Sequence, residues 1–439
     1  YPQPDDLDAE QLLRQADQAM YQAKRAGKRQ IRYFDTELDQ SHRHRVDSLA
    51  RIREALTQGE FLLYYQPIVD LCIGRVVGAE ALLRWDHPER GLLAPSNFLP
   101  LLEGDALAPL LGDWVLSRAL ADQQDWQANG LDLGVRVNIA GQHLLQPDFI
   151  TRLRQHCATP ADRLPPRLTL EVVEGSVIDD LSRATAVIRA CNSLGVGVSL
   201  DDFGTGFSSL GDLKQLPLIE LKIDQRFIRD LLVDPDDLAI IDGILGLSRA
   251  FALGVVAEGV ETREQAEVLL SFGCYRLQGY ALARPMPVDA LHRWLYDWRP
   301  DPGWQGHALM RRGLLPLRFA EAEIRGSIGN IAACLSGERD TLPDLDPQHC
   351  RFGSWLLLLP EQGVPTDWLA GLKVEHDALH ASARALVIGQ LGSEARTAAL
   401  EALEAAGARI CQQLRAGETA LDSSIDLPPL PPLTPRRDR

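Results

Sequence analysis

The chain has 439 residues, 45% of them apolar and 6% aromatic, which is enough for two or three domains with ordinary cores. Its formal net charge is −16 and its isoelectric point about 5.1, which excludes binding a nucleic acid polymer through a broad positive surface. An anionic ligand would need bound cations to reverse the local field. No apolar run approaches the roughly 18 residues of a membrane span. The seven cysteines are scattered and odd in number, which suits reduced thiols and a cytoplasmic location. The chain opens on Tyr1 rather than Met, which leaves room for an upstream segment.

Residues 1–50 are polar and helical in pattern. Candidate strands then follow at 61–70, 75–84, 133–139, 167–173, 196–201, 219–223, 254–258 and 274–278, and amphipathic helical stretches fill most gaps after the second. Eight strands in this rhythm predict an α/β fold, a (β/α)8 TIM-like barrel. Only Leu71 to Gly74 part the first two strands, too few residues for a crossover helix, so the first strand is expected to run antiparallel. The stretch 298–317, with three prolines or glycines in Pro300, Pro302 and Gly303 and two more in Gly306 and Gly313, reads as a linker. From about 318 the pattern is helical only and predicts an all-α bundle. The end, Pro428 to Arg439, is Pro-rich and basic and reads as disordered.

Polar residues gather where the strands end: Glu80, Asn138, Glu171, Asp201, Asp202, Lys222, Glu258 and Gln278. In a barrel these ends converge on one rim. Taken singly, Glu80 reads as a solvated strand end, the Asp pair before Phe203 and Gly204 as a turn, and Lys222 as a surface charge. In register they form an oxygen-donor set that suits hard divalent cations, and the absence of His and Cys there argues against zinc. The residues alone point to a metal-dependent barrel hydrolase without naming a substrate.

The strings YYQPIVDL (64–71), GAEALLRW (78–85), VNIA (137–140), LEVVE (170–174), DDFGTGFSSL (201–210), LKID (221–224), AEGVET (257–262) and LQGYALARPMP (277–287) resemble, in order, the EAL family of cyclic di-GMP phosphodiesterases. The resemblance implies hydrolysis of cyclic di-GMP to linear pGpG with two Mg²⁺ or Mn²⁺ ions. It implies that Glu80, Asn138, Glu171 and Asp201 hold the first ion, and that Asp201 bridges to a second held with Asp202 and Glu258. Lys222 resembles the lysine beside the attacking water, which either aids its deprotonation or screens developing charge; Gln278 resembles the residue that places that water. Gln66, Leu82 and Arg84 resemble substrate contacts, and Glu261 a support for the second ion. Glu174 resembles the anchor of a regulatory loop carrying Phe203, Gly204 and Gly206, which is tied to homodimer packing. Val173 and Leu282 depart from the common Thr and aromatic residue, and neither position is a ligand. The alternatives are a catalytically inactive EAL receptor that binds cyclic di-GMP, and a barrel acting on another phosphodiester.

Two flanks complete the expected organisation. Residues 9–36 resemble the last helix and strand of a GGDEF domain, with no GGDEF motif in the chain. CRFGSW (350–355) and HDALH (376–380) resemble the chemoreceptor zinc-binding (CZB) domain, which implies Zn²⁺ on Cys350, His376 and His380 and a sensory role. The further histidine of that family has no counterpart here, leaving Glu321, Glu323, His349 or no fourth ligand. The expected domains are a GGDEF remnant over 1–36, a linker helix over 37–50, the barrel over 51–300, a linker over 301–317, the bundle over 318–415 and a disordered tail over 416–439.

Overall fold

β-Branched and aliphatic runs form ten strands among the described residues of the computed structural model: β1 (Phe61–Asp70), β2 (Arg75–His87), β3 (Gly91–Leu93), β4 (Gly134–Asn138), β5 (Leu168–Val173), β6 (Gly197–Phe203), β7 (Glu220–Ile223), β8 (Gly254–Ala257), β9 (Arg276–Leu277) and β10 (Met286–Pro287). The structure describes residues 36–158, 167–178, 180–204, 210–304, 310–339, 345–388, 393–422 and 424–431, with single positions between 13 and 24. The expected GGDEF remnant therefore lies outside the described residues apart from those positions, and so does Gly206.

The eight strands read from the sequence close into a barrel. Neighbours run β1-β9-β8-β7-β6-β5-β4-β2, and a β1–β2 pairing joins the ends. β2 and β4 to β9 are parallel, each to the next. β1 runs antiparallel to β9, with Val69 opposite Leu277. The reason is local. Asp70 Oδ1 accepts the N–H groups of Cys72 and Ile73, and Gly74 takes a left-handed φ of 62°, so the chain reverses within one turn. β3 and β10 are the two strands not expected; at three and two residues they carry no readable period.

Contacts divide the chain into two compact units, residues 1–62 with 83–113, and residues 63–82 with 114–439. In the first, helix Thr36–Gln58 extends the expected linker helix by about two turns. Phe61, Trp85 and Phe98 form an aromatic cluster there, with ring centroids 5.5–5.7 Å apart.

The second unit holds most of the barrel and the helical region. Four of its helices start on side-chain caps that accept from the first turn: Asp180, Asp224, Asp234 and Thr262. After the barrel, helices Pro316–Ser336, Thr366–Ile388 and Ser393–Ala420 pack around Ile324, Ile331, Leu372, Leu379, Leu403 and Ile410, with the short helix Arg351–Leu356 beside them. This bundle sits directly on the barrel. Phe319 meets Phe272 at 6.0 Å, and Gly326 lets the first bundle helix approach Val233, where a Cβ would lie 2.1 Å from the carbonyl oxygen.

The expectation of a disordered tail over 416–439 is corrected as far as residue 431, and 432–439 lie outside the described residues. The last helix runs to Ala420, and the segment after it docks. Ile425 and Leu427 are buried, Leu427 N–H donates to Gly313 O, Trp355 Nε1 donates to Pro428 O, and Arg351 Nε donates to Pro431 O. Prolines here leave their carbonyls available, and the bundle supplies the donors. No helix among the described residues is long and apolar enough to cross a membrane.

Candidate active site at the barrel rim

Parallel strands in near register carry their last residues to one rim. Asn138 at the end of β4 pairs with Glu171 on β5, and Glu80 on β2 lies one residue before the Ala81–Val137 pair. β6 adds two carboxylates from adjacent positions, which a regular strand would send to opposite faces. Its register shifts between Leu200 and Phe203, and Asp202 takes a left-handed φ of 54°. Asp201, Asp202 and Glu258 thereby bring ligand atoms within 4.8 Å of one another.

Lys222, on the fully buried β7, is 1% exposed and lies in the middle of these acids. Its Nζ is 2.8 Å from Glu171, 3.1 Å from Asp201 and 3.6 Å from Glu80, and it also contacts Glu258. Burial opposes its charge, but the surrounding Glu171, Glu258, Glu80 and Asp201 hold it protonated well above the usual lysine range. Burial lifts Glu171 well above the carboxylate range, and lifts Glu258 to about 8 and Asp202 to about 6, helped by neighbouring acids. Burial pulls Glu80 the same way, yet Lys222 and the amides of Gln278 and Asn138 keep it low. Those amides donate at 2.6 Å each. Gln278 Nε2 also donates to Gln66 Oε1 at 3.0 Å, and Gln66 in turn donates to Ala283 O.

Five carboxylates around one ammonium leave a buried excess of negative charge. Glu171 Oε1 and Gln278 Oε1 are buried with no hydrogen-bond donor among the described residues. An all-oxygen donor set with this charge fits divalent cations of the Mg²⁺ and Mn²⁺ kind.

Glu174 is buried, and its Oε2 accepts the N–H of Gly204 at 3.3 Å; Phe203 is buried and Val173 exposed. Leu82 is half-buried. Arg84 belongs to the first unit, where it donates to Leu83 O. Glu261 is exposed and engages Gln265 through its backbone N–H, in the capping box that starts helix Arg263–Phe272.

A polar layer beneath the rim was not anticipated. Arg136 on β4 and Arg276 on β9 both bind the Glu220 carboxylate, and Arg136 Nη1 also lies 3.6 Å from Glu171. The signal was present, since Arg136 and Glu220 interrupt otherwise apolar strands just as Glu80 and Glu171 do. A cavity of about 700 Å³ opens at this opposite end, where Gly134, Leu168, Gly197 and Glu220 begin their strands. Its charged lining is already paired within the barrel.

In the bundle, Cys350, His376 and His380 bring their donor atoms within 4.8 Å of one another. His376 Nε2 is 3.1 Å from Cys350 Sγ. Burial and the neighbouring His380 push His376 down to about 3, so its imidazole is neutral.

Residues 49–285 match the EAL domain family, more than half of the chain. The chain belongs to the EAL domain family. Among curated relatives, it is 39% identical over 282 residues to the bifunctional diguanylate cyclase/cyclic di-GMP phosphodiesterase MucR of Pseudomonas aeruginosa, covering 64% of this chain and 41% of that protein. It is 36% identical over 302 residues to the cyclic di-GMP phosphodiesterase NbdA of the same organism, covering 69% and 38%. The solved MucR phosphodiesterase in complex with c-di-GMP superposes with a TM-score of 0.52 at 41% identity, covering 56% of this chain and 99% of that one. The EAL chain thus spans about two fifths of the length of these curated relatives.

Proposed function

We propose that this EAL protein hydrolyses cyclic di-GMP to linear 5′-pGpG. The observation that carries the reading is the buried cluster of Glu80, Glu171, Asp201, Asp202 and Glu258 around Lys222 at the rim. Likeness to MucR, solved with c-di-GMP, supports the substrate.

Two divalent cations, Mg²⁺ or Mn²⁺, supply an activated water and neutralise charge on the phosphate when bound. Glu80, Asn138, Glu171 and Asp201 hold one, and Asp201, Asp202 and Glu258 the other, with exposed Glu261 as outer support. As an ammonium, Lys222 donates to the attacking water through Nζ and screens charge building on the phosphate oxygens. Gln278 Oε1 accepts from the same water while its Nε2 stays on Glu80 and Gln66. Gln66, Leu82 and Arg84 contact the substrate, the guanidinium taking a phosphate. Glu174 ties the Phe203–Gly206 loop to the metal side through Gly204, and couples the site to homodimer packing.

The domain reading is an EAL barrel over 51–300 with a regulatory CZB-like bundle over 318–415, in which Cys350, His376 and His380 bind zinc. The test is chromatographic. Purified protein with cyclic di-GMP and Mg²⁺ or Mn²⁺ is expected to yield pGpG, with activity lost on chelation and cut about 100-fold or more in Glu80→Ala. Tight binding with no product under any metal would establish the inactive receptor instead.

A further inference from the structure

We propose that Arg136 is a positioning residue for the rim, acting through Glu171 to fix how that carboxylate meets a divalent cation. The proposal deepens the reading of Glu171 as a ligand of the first ion and rests on it.

The interiors of (β/α)8 barrels are filled by layers of branched apolar side chains. The layer beneath this rim departs from that rule. Arg136, Glu220 and Arg276 each stand two residues before a rim residue, namely Asn138, Lys222 and Gln278, and the period of two turns them into the same interior. Arg136 and Glu220 are 8% and 2% exposed. Arg136 Nη2 donates to Glu220 Oε2 at 3.1 Å while its Nη1 binds Oε1, and Arg276 Nη1 donates to Oε2 at 3.0 Å. A Cβ at Gly254 would lie 3.1 Å from Arg276 Nη1 and 3.3 Å from Glu220 Oε2, so this glycine makes room for the pair.

The two arginines are alike toward Glu220 and differ toward the rim. Arg136 Nη1 lies 3.6 Å from Glu171 Oε1, within ion-pair range though too long for a hydrogen bond. Arg276 turns its Nε toward Asp70, also at 3.6 Å. Glu171 is 1% exposed, and its two oxygens are divided: Oε2 accepts from Lys222 Nζ at 2.8 Å, and Oε1 faces Arg136. A buried carboxylate with a cation on each oxygen has little freedom to rotate about its last torsion. A guanidinium stays charged throughout the working pH range, so this hold does not depend on a proton. Groups that fix a ligand from behind change metal affinity by about 10- to 100-fold.

The test titrates the metal-free full chain with Mn²⁺ and reads the free ion by its paramagnetic resonance signal, without substrate, so turnover plays no part. Arg136→Met and Arg276→Met each remove one positive charge from the layer and leave Glu220 the other arginine. Arg136→Met is expected to weaken Mn²⁺ binding about 10-fold or more, and Arg276→Met to leave it near the wild-type value. An Arg136→Met, Glu220→Gln double variant keeps the wild-type net charge. It is expected to match the wild-type circular dichroism and still to bind Mn²⁺ as weakly as Arg136→Met. Wild-type affinity in either Arg136 variant, or an equal loss in Arg276→Met, would overturn the positioning role and leave the ligand reading standing. Wild-type protein that takes up no Mn²⁺ would overturn the ligand reading together with this inference.

Discussion

Lys222 concentrates the electrostatic problem of this molecule into one residue. A fully buried lysine is stabilised only because acids surround it, and those acids are excessive for a single positive charge. Part of the excess is therefore carried by protons when cations are absent. Burial, with Asp201 and Glu80 nearby, lifts Glu258 to about 8 despite Lys222. Its folded value thus exceeds the ordinary 4.5, so its contribution to metal-free stability is full below 4.5 and lost as pH rises through 8. Cation binding needs the same carboxylate ionised and so competes with that proton. The melting-temperature gap between Mn²⁺-saturated and chelator-treated protein is expected to widen from pH 6 to pH 9. A constant or shrinking gap would show that Glu258 is not among the ligands.

At the scale of elements, β6 does the least regular work. Its bulge and the left-handed Asp202 turn two consecutive acids into one site, and Gly204 follows with a φ of 97°. A Cβ at Gly204 would also lie 3.0 Å from the Phe227 ring. Gly204→Ala is expected to cost about 1–3 kcal/mol and to reduce cyclic di-GMP turnover, because the strain falls on the segment carrying Asp202. Gly175→Ala, with open space around it, serves as the control and should leave the urea midpoint nearly unchanged. Equal midpoints for both would refute the strain argument. Seven of the eight barrel strands, the reversed first strand among them, were legible because their residues alternate or run unbroken over four or more positions, whereas β9 keeps only Arg276 and Leu277 of the expected 274–278. β3 and β10 are too short for a period. Asp201 and Asp202 were legible as a pair, but not the bulge that unites them, since no residue type encodes it. Arg136 and Glu220 are not legible as a pair, because each charge read along its own strand suits a solvated face and only the closed barrel brings them together.

For the whole molecule, the consequential feature is how the bundle sits on the barrel. Glu264, in the first turn of helix Arg263–Phe272, receives Arg325 at 2.6 Å and also Arg415, while Glu321 shares both arginines. That helix begins five residues after Glu258, so the bundle grips the element that follows a rim acid. An Arg325→Ala, Arg415→Ala double variant is expected to speed amide hydrogen exchange across 263–272 by about tenfold or more. Unchanged exchange would show that apolar contacts such as Phe319 on Phe272 hold the bundle without the ion network. The docked segment 424–431 was illegible in the sequence because composition reports proline, whereas docking depends on the spacing of Ile425 and Leu427 and on donors from Arg351 and Trp355.

On the proposed function, the rim directs water onto a phosphodiester of cyclic di-GMP. A single-turnover reaction in ¹⁸O-labelled water, with Mn²⁺ and product masses read by mass spectrometry, tests it most directly. One ¹⁸O atom in the terminal phosphate of pGpG is the predicted result. Unconsumed cyclic di-GMP, or pGpG without label, would contradict it.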